Sequence, residues 1–316
     1  MSKEYIFGPV ASRRLGVSLG VDLIRSKTCS LDCIYCEAGQ TVNRTCCRQR
    51  YVDLEKVKSE IREVLADNPP LDYITFSGSG EPTLNSQIGE FSAFLKENYP
   101  QYKICLLTNG TLLNDPEVRA ALKFVDIAMP NFDASNDEEL FIINRPAAGI
   151  TTETLAAGIK AAASEYPGKL VLELFIVPGV NDSDASIERF VNYIADWPGL
   201  HSVQLNTLDR PGVVDWIKPA DSSVIRRFID ALEKIIPVEA VGRFRYRSAA
   251  LRQVIDPDEA DREILALISR RPATAEDLAV ALNRDIESVR QRAETLVKAG
   301  VVSAEKLDRG VFYSAV

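Results

Sequence analysis

Cys29, Cys33 and Cys36 stand in the run Lys27-Thr28-Cys29-Ser30-Leu31-Asp32-Cys33-Ile34-Tyr35-Cys36. Soft thiolates this close together point to iron–sulfur or zinc chemistry. A [4Fe–4S] cluster normally takes four cysteines. A C-x3-C-x2-C loop offers three, which leaves one iron open to a small molecule. Zinc is the competing arrangement, with Cys46 or Cys47 as its fourth ligand, and unpaired thiols are the third.

A second segment bears on that choice. Tyr73-Ile74-Thr75-Phe76 is β-branched and aromatic, and it breaks into Ser77-Gly78-Ser79-Gly80-Glu81-Pro82. That pattern predicts a buried strand ending in an exposed glycine-rich loop. Glycines let a main chain approach a ligand closely, and Glu81 places a carboxylate beside it. A zinc knuckle has no use for such a loop. A ligand with an amino group does, because backbone carbonyls and an acidic side chain can bind it. A lone Gly-Ser-Gly would be a simple tight turn.

In these two segments the chain resembles the radical SAM superfamily. More narrowly, it is similar to the iron–sulfur oxidoreductases related to the archaeal tRNA wyosine-base synthases. That closer likeness begins in Phe7-Gly8-Pro9-Val10, Ser12-Arg13-Arg14-Leu15-Gly16 and Ser18-Leu19-Gly20-Val21-Asp22. It continues in Leu107-Thr108-Asn109-Gly110, Asn144-Arg145-Pro146, Val177-Pro178-Gly179-Val180-Asn181-Asp182 and Val203-Gln204-Leu205-Asn206-Thr207. It spans residues 5 to 240.

The resemblance implies a [4Fe–4S] cluster on Cys29, Cys33 and Cys36, with S-adenosylmethionine (SAM) chelating the open iron. It implies a one-electron reductant of flavodoxin or ferredoxin type, and a 5′-deoxyadenosyl radical that takes hydrogen from substrate. By the same likeness Gly78, Ser79, Gly80, Glu81 and Pro82 meet the methionyl group and Tyr35 meets the adenine. Asn109 is either a ribose ligand or an ordinary turn residue. The wyosine synthases carry a further cysteine triad on the N-terminal side. Residues 1 to 28 here hold no cysteine, so the chain departs from wyosine chemistry.

Elements that alternate along the chain must position these residues. Candidate strands are Leu19 to Leu23, Tyr73 to Ser77, Lys103 to Leu107, Val125 to Met129, Leu170 to Val177 and Ser202 to Asn206. Between them lie amphipathic stretches: Asn85 to Asn98, Asp115 to Leu122, Thr151 to Glu165, Ser183 to Ala195 and Ser222 to Ile235. In a further one, Leu54, Val57, Ile61 and Val64 form one apolar helix face. Apolar strands alternating with helices predict a parallel sheet covered by helices. Six units match the partial (β/α)6, TIM-like barrel of the superfamily, an α/β fold. In such barrels the chemistry sits at the carboxyl ends of the strands. The cysteine loop, Gly78 to Pro82, Thr108 to Gly110, Pro130 to Asp133 and Pro178 to Asp182 all fall there.

Glu173 interrupts an otherwise apolar strand, and a buried carboxylate needs partners, which predicts a ligand role. Gln204 and Asn206 alternate with Val203 and Leu205, so both face one side, the barrel interior. His201, the single histidine, reads as a loop residue. Adjacent Cys46 and Cys47 pair only with strain, and Cys105 lies mid-strand.

The expected domains are 1–240 for the barrel, 241–255 for a connecting segment and 256–316 for a winged helix. The last has three short helical patterns, Ala260 to Ser269, Thr274 to Leu282 and Ile286 to Ala299. Thr274 and Asp277 give a capping pattern, and Gly300 is a stop. A hairpin flanks Asp308-Arg309-Gly310. From 256 to 316 there are 9 Lys and Arg against 12 Asp and Glu, a net of −3. A nearly charge-balanced recognition helix is a poor phosphate binder, so the winged helix is expected to contact protein or peptide.

The whole chain of 316 residues is 46% hydrophobic and carries a net charge of −8. That charge disfavours tRNA or DNA as partner, leaving two local basic patches: Arg13, Arg14, Arg25 and Lys27, and Arg243, Arg245, Arg247 and Arg252 with Phe244 and Tyr246. No apolar run long enough to span a membrane is present, and the N-terminus lacks the apolar core of a signal peptide. The cysteines do not form a secreted disulfide framework. A cytoplasmic, membrane-free enzyme is the expectation. The alternatives are wyosine-type tRNA base modification and a non-catalytic iron–sulfur redox sensor whose winged helix reads DNA.

Overall fold

The structure, a computed structural model, describes residues 3–12, 14–210, 212–241, 246–247, 257–268, 272–282, 284–307 and 310–315. Arg13, Arg243, Phe244, Arg245, Arg252, Asp256, Ser269, Asp308 and Arg309, named above, lie outside them. The chain divides into two compact units, Met1–Phe244 and Arg245–Val316.

In the first unit the strands are β1 (Ile6–Ser12), β2 (Gly16–Val21), β3 (Thr28–Cys29), β4 (Asn43–Arg44), β5 (Tyr73–Phe76), β6 (Lys103–Thr108), β7 (Ile127–Pro130), β8 (Lys169–Ile176), β9 (Leu200–Thr207) and β10 (Val238–Ala240). The main sheet runs in the order β1-β2-β5-β6-β7-β8-β9-β10. From β2 to β10 every neighbour is parallel. β1 is antiparallel to β2, so the sheet is mixed and open, and longer at both ends than the six strands expected. β3 and β4 form a separate parallel pair that starts the cysteine loop.

The helices are α1 (Leu54–Leu65), α2 (Ile88–Asn98), α3 (Pro116–Ala121), α4 (Asp137–Ile143), α5 (Thr152–Glu165), α6 (Asp184–Ala195) and α7 (Ser222–Leu232). Each of the amphipathic stretches yields one, and α4 is additional. Helix α1 shows why it starts and what it buries. The Asp53 carboxylate accepts from the amides of Glu55 and Lys56, the capping that orphan N-terminal N–H groups require. Leu54, Val57, Ile61 and Leu65 are buried. Leu65, not Val64, completes the face, because the apolar stripe continues at i+4. Helix α5 begins with a reciprocal capping box between Thr151 and Thr154.

The second unit contains β11 (Tyr246–Arg247), α8 (Pro257–Ile268), β12 (Ala273–Thr274), α9 (Ala275–Leu282), α10 (Ile286–Lys298), β13 (Val302–Leu307) and β14 (Gly310–Ala315). β13 and β14 are an antiparallel hairpin, with β12 on its other edge. The Thr274 hydroxyl accepts from Asp277 N, and Asp277 Oδ2 accepts from Thr274 N. Ile264, Leu278, Val289, Ala293, Leu296 and Tyr313 share one buried core, and Gly300, at φ +75°, follows α10. The three arginines on and beside α10 are paired: Arg284 with Glu263, Arg292 with Asp261, and Arg290 with Glu276 and Glu287.

Candidate active site around the cysteine loop

The cysteine loop is pinned from four directions. Its Thr28 carbonyl accepts from Glu81 N at 3.1 Å, after β5. Its Ser30 hydroxyl meets Thr111 at 2.6 Å, after β6. Asp32 N and Ile34 N donate to the carbonyls of Asn144 and Ile143, both at 2.9 Å, at the end of α4. The Ile34 carbonyl accepts from Val213 N at 2.8 Å, after β9. Three of these are carboxyl ends of sheet strands, so one end of the parallel sheet collects the loops.

Each cysteine sulfur receives a nitrogen donor from a side chain outside the three thiols. Asn109 Nδ2 lies 3.3 Å from Cys29 Sγ. Asn144 Nδ2 lies 3.3 Å from Cys33 Sγ. Lys27 Nζ lies 2.9 Å from Cys36 Sγ. Burial pushes the Cys29 thiol up to about 11, with Glu81's charge adding to it. Burial likewise holds the Cys33 thiol well above its usual value. Thiolates there need a positively charged occupant, whose binding releases the protons. Among the described residues no three His, Cys, Asp or Glu side chains gather as ligands of a single metal ion. Cys46 and Cys47 are exposed, and Cys105 is buried within β6.

The glycine loop packs against protein. Gly78 has φ +131°, and a Cβ there would meet the Asp22 carboxylate at 2.4 Å. Ser79 donates its amide to that same carboxylate. A Cβ on Gly80 would lie 1.9 Å from the Thr28 carbonyl. The two glycines therefore let the loop close onto β2 and the cysteine loop. Pro82 opens a single 3-10 turn, Pro82–Leu84, with Glu81 as its N-cap. Glu81 is buried, and Oε1 accepts from Thr83 N, the Thr83 hydroxyl and the Thr108 hydroxyl. Oε2 accepts from Asn109 N. Burial raises its pKa and these donors oppose the rise.

Tyr35 is not an open ring. It stacks on Phe175 with centroids 3.9 Å apart, and its hydroxyl donates to Asp133. Asp133 is buried and also accepts from Asn144 Nδ2 at 2.9 Å and Phe175 N at 2.9 Å. Burial pushes its carboxyl up to about 6, against the pull of those donors. One carboxylate thus ties the aromatic of the cysteine loop to the amide that meets Cys33.

Deeper in the sheet, Glu173 carries a cation. Arg14, from the β1–β2 turn, reaches its two oxygens at 3.2 and 2.5 Å. Asn131 and Asn206 donate to Glu173 at 3.3 and 3.4 Å. Glu173 and Gln204 are register partners, and Gln204 and Asn206 are both buried. Gln204 donates to Glu239 at 3.0 Å, and its Oε1, like Oδ1 of Asn144, is buried without a partner. Arg14 is therefore an internal cation, not part of a solvated patch, and Arg25 pairs with Glu4. His201 lies near the start of β9, half-buried, where burial lowers its pKa.

Lys27, Asp133 and Asn144 were not among the ligand candidates. Asn144 was legible only as part of Asn144-Arg145-Pro146, and Asp133 only as the end of a strand.

The model described as Radical SAM superfamily matches residues 23–191. The chain belongs to the radical SAM superfamily. A UPF0026 protein of Helicobacter pylori strain J99 is 32% identical over all of both chains. A GTPase Obg of Brachyspira hyodysenteriae is 30% identical over all of this chain, which spans 46% of that relative's length. A radical SAM methyltransferase from Sphaerobacter thermophilus shares the fold, with a TM-score of 0.51 at 20% identity, over 71% of this chain and 65% of that one. Radical SAM membership implies an enzyme with an iron–sulfur cluster, SAM and an outside source of electrons. No described helix is long and apolar enough to cross a membrane.

Proposed function

We propose that this radical SAM enzyme cleaves SAM at a [4Fe–4S] cluster held by Cys29, Cys33 and Cys36, and takes hydrogen from a protein or peptide substrate. The observation that carries the reading is the set of three nitrogen donors, one per sulfur, brought from three separate parts of the chain. Donors to sulfur suit thiolates that share a cluster's negative charge. Held by these three cysteines, such a cluster would supply one-electron reduction of the SAM sulfonium, with a flavodoxin- or ferredoxin-type protein as the outside donor and cleavage of the C–S bond to methionine and a 5′-deoxyadenosyl radical as the outcome.

The chain's own residues bind and exclude water. Asn109 and Asn144 orient Cys29 and Cys33. The Tyr35–Phe175 stack and Asp133 hold the loop's aromatic. Ile34, Ile143, Phe175, Val177 and Ile217 form the apolar bed beside it. The Gly78–Pro82 loop remains the proposed seat of the methionyl group through its backbone, with Ser79 and Glu81 fixing its path. Asn109, Glu173, Gln204 and Asn206 are proposed to face the rest of SAM, and the partnerless Gln204 Oε1 supports that. A cavity of about 310 Å³ after β9, lined in part by Leu208, Arg210, Val214 and Ile217, adjoins the same apolar bed and is the proposed substrate entrance.

The second unit is proposed to be a winged helix that presents a polypeptide. The pairing of Arg284, Arg290 and Arg292 with acids supports this over nucleic acid, because paired cations have little charge left for phosphates.

Anaerobic reconstitution followed by dithionite and SAM tests the reading. Deoxyadenosine formation is expected from the wild type, with a reduced EPR signal altered by SAM. It is expected to be abolished in Cys33→Ala and retained in Cys46→Ala and Cys47→Ala. An equal requirement for the vicinal pair would overturn the ligand assignment.

A further inference from the structure

We infer that Lys27 is a positioning residue that holds a positive charge against the Cys36 ligand and sets the reduction potential of the cluster. The inference rests on the ligand assignment proposed above.

Two independent observations meet at this residue. The first is the contact: Lys27 Nζ stands 2.9 Å from Cys36 Sγ. The donors at the other two cysteines are the neutral amides of Asn109 and Asn144, so the three sulfurs are not equivalent. Cys36 alone is met by an ammonium.

The second is the backbone that delivers it. Ser26 and Lys27 have φ of +59° and +41°. Two consecutive non-glycine residues in the left-handed region are unfavourable and persist only where the surroundings over-determine them. Here they do. The Lys27 carbonyl accepts from Val42 N at 3.0 Å and Asn43 N at 3.4 Å. The Thr28 hydroxyl donates to the Arg25 carbonyl at 3.2 Å. The β3–β4 pair begins at once, with Thr28 opposite Asn43. A strained turn clamped on both sides gives the half-buried Lys27 side chain little freedom to leave the sulfur.

The consequence is electrostatic. Reduction adds one negative charge to a cluster already carrying thiolates. Hydrogen bonds to sulfur, net charge and solvent exposure set cluster potentials. A fixed ammonium beside one ligand sulfur stabilises the reduced state more than the oxidised one. Removing that charge must make reduction harder, whether or not SAM is present.

The test uses the full-length protein, reconstituted anaerobically, with iron and sulfide counted. The midpoint potential is titrated by EPR without SAM in wild type, Lys27→Gln and Lys27→Arg. Loss of the charge is expected to shift the reduction equilibrium at least tenfold, lowering the potential by at least about 59 mV for one electron, with Lys27→Arg recovering most of the shift. Equal potentials in wild type and Lys27→Gln overturn the inference, even if the variant binds SAM less well. If Lys27→Gln does not load a cluster, loading by Lys27→Arg supports a need for charge at this sulfur. Failure of both to load overturns it, since the position's shape would then matter and not its charge. A wild type with no SAM-sensitive cluster signal is a different result: it removes the ligand assignment and this inference with it.

Discussion

The backbone amide of Asn109 donates to Oε2 of Glu81 at 2.7 Å, while the Asn109 side chain reaches Cys29 Sγ at 3.3 Å. The carboxylate after β5 thus fixes the residue after β6 that meets the cysteine loop. Glu81→Gln sets an amide NH2 against the backbone N–H of either Thr83 or Asn109, which cannot accept. Leaving buried donors unmatched costs about 1–3 kcal/mol. The apo-protein is expected to lose about that much stability in urea titration, and its reconstituted cluster to show an altered EPR line shape through the displaced Asn109. An unchanged stability would mean that Glu81 is free in solution.

Arg14 and Glu173 are a buried pair, with side chains 19% and 7% exposed. Breaking such a pair from one side costs about 3–5 kcal/mol, because the remaining charge is uncompensated. Arg14→Met is expected to destabilise by about that amount in chemical denaturation. Arg14→Met with Glu173→Leu is expected to recover a large part. If Arg14→Met alone is neutral, Arg14 does not neutralise Glu173 within the sheet.

Asp133 gives a pH dependence. Its carboxyl is raised from 3.8 to about 6, mainly by burial. A raised carboxyl contributes stability that is fully present below 3.8 and is lost as pH rises through about 6, by about 3 kcal/mol in all. Urea midpoints of the apo-protein between pH 4 and 7 should therefore fall more steeply with pH in wild type than in Asp133→Asn. Dilute samples are needed, since the chain's pI is about 5.0. Parallel curves for the two proteins would place Asp133 in contact with solvent.

Deleting residues 256–316 is expected to leave SAM cleavage without substrate intact and to impair turnover of the native substrate. All three cysteines and every proposed SAM contact lie in the first unit, and the second unit has its own buried core. Sub-micromolar DNA binding by the full chain in a gel shift at physiological salt would overturn the polypeptide partner. A folded truncation unable to bind SAM would overturn the division of labour between the units.

The sequence by itself determined the cysteine triad, the glycine loop, the alternation of strands and helices and the strand ends that carry the candidate residues. These are local properties: spacing along the chain, apolar period and turn chemistry act over a few residues. It missed β1, where Gly8 and Pro9 interrupt the strand-forming residues although the segment pairs with β2. It also missed β10, whose three residues are too few to show a period. The partners of the site were decided by the tertiary structure alone. Arg14 and Glu173 are 159 positions apart, Cys33 and Asn144 are 111, and Cys29 and Asn109 are 80. Glu173 looked like a ligand because a carboxylate in an apolar strand must be satisfied, and the sequence could say that it needs a partner. Which partner it takes depends on how parallel strands far apart in the chain stack into one sheet. Lys27 shows the same division at short range. Its charge and its place two residues before Cys29 were legible, but only the left-handed turn and the β3–β4 clamp turn its ammonium onto Cys36.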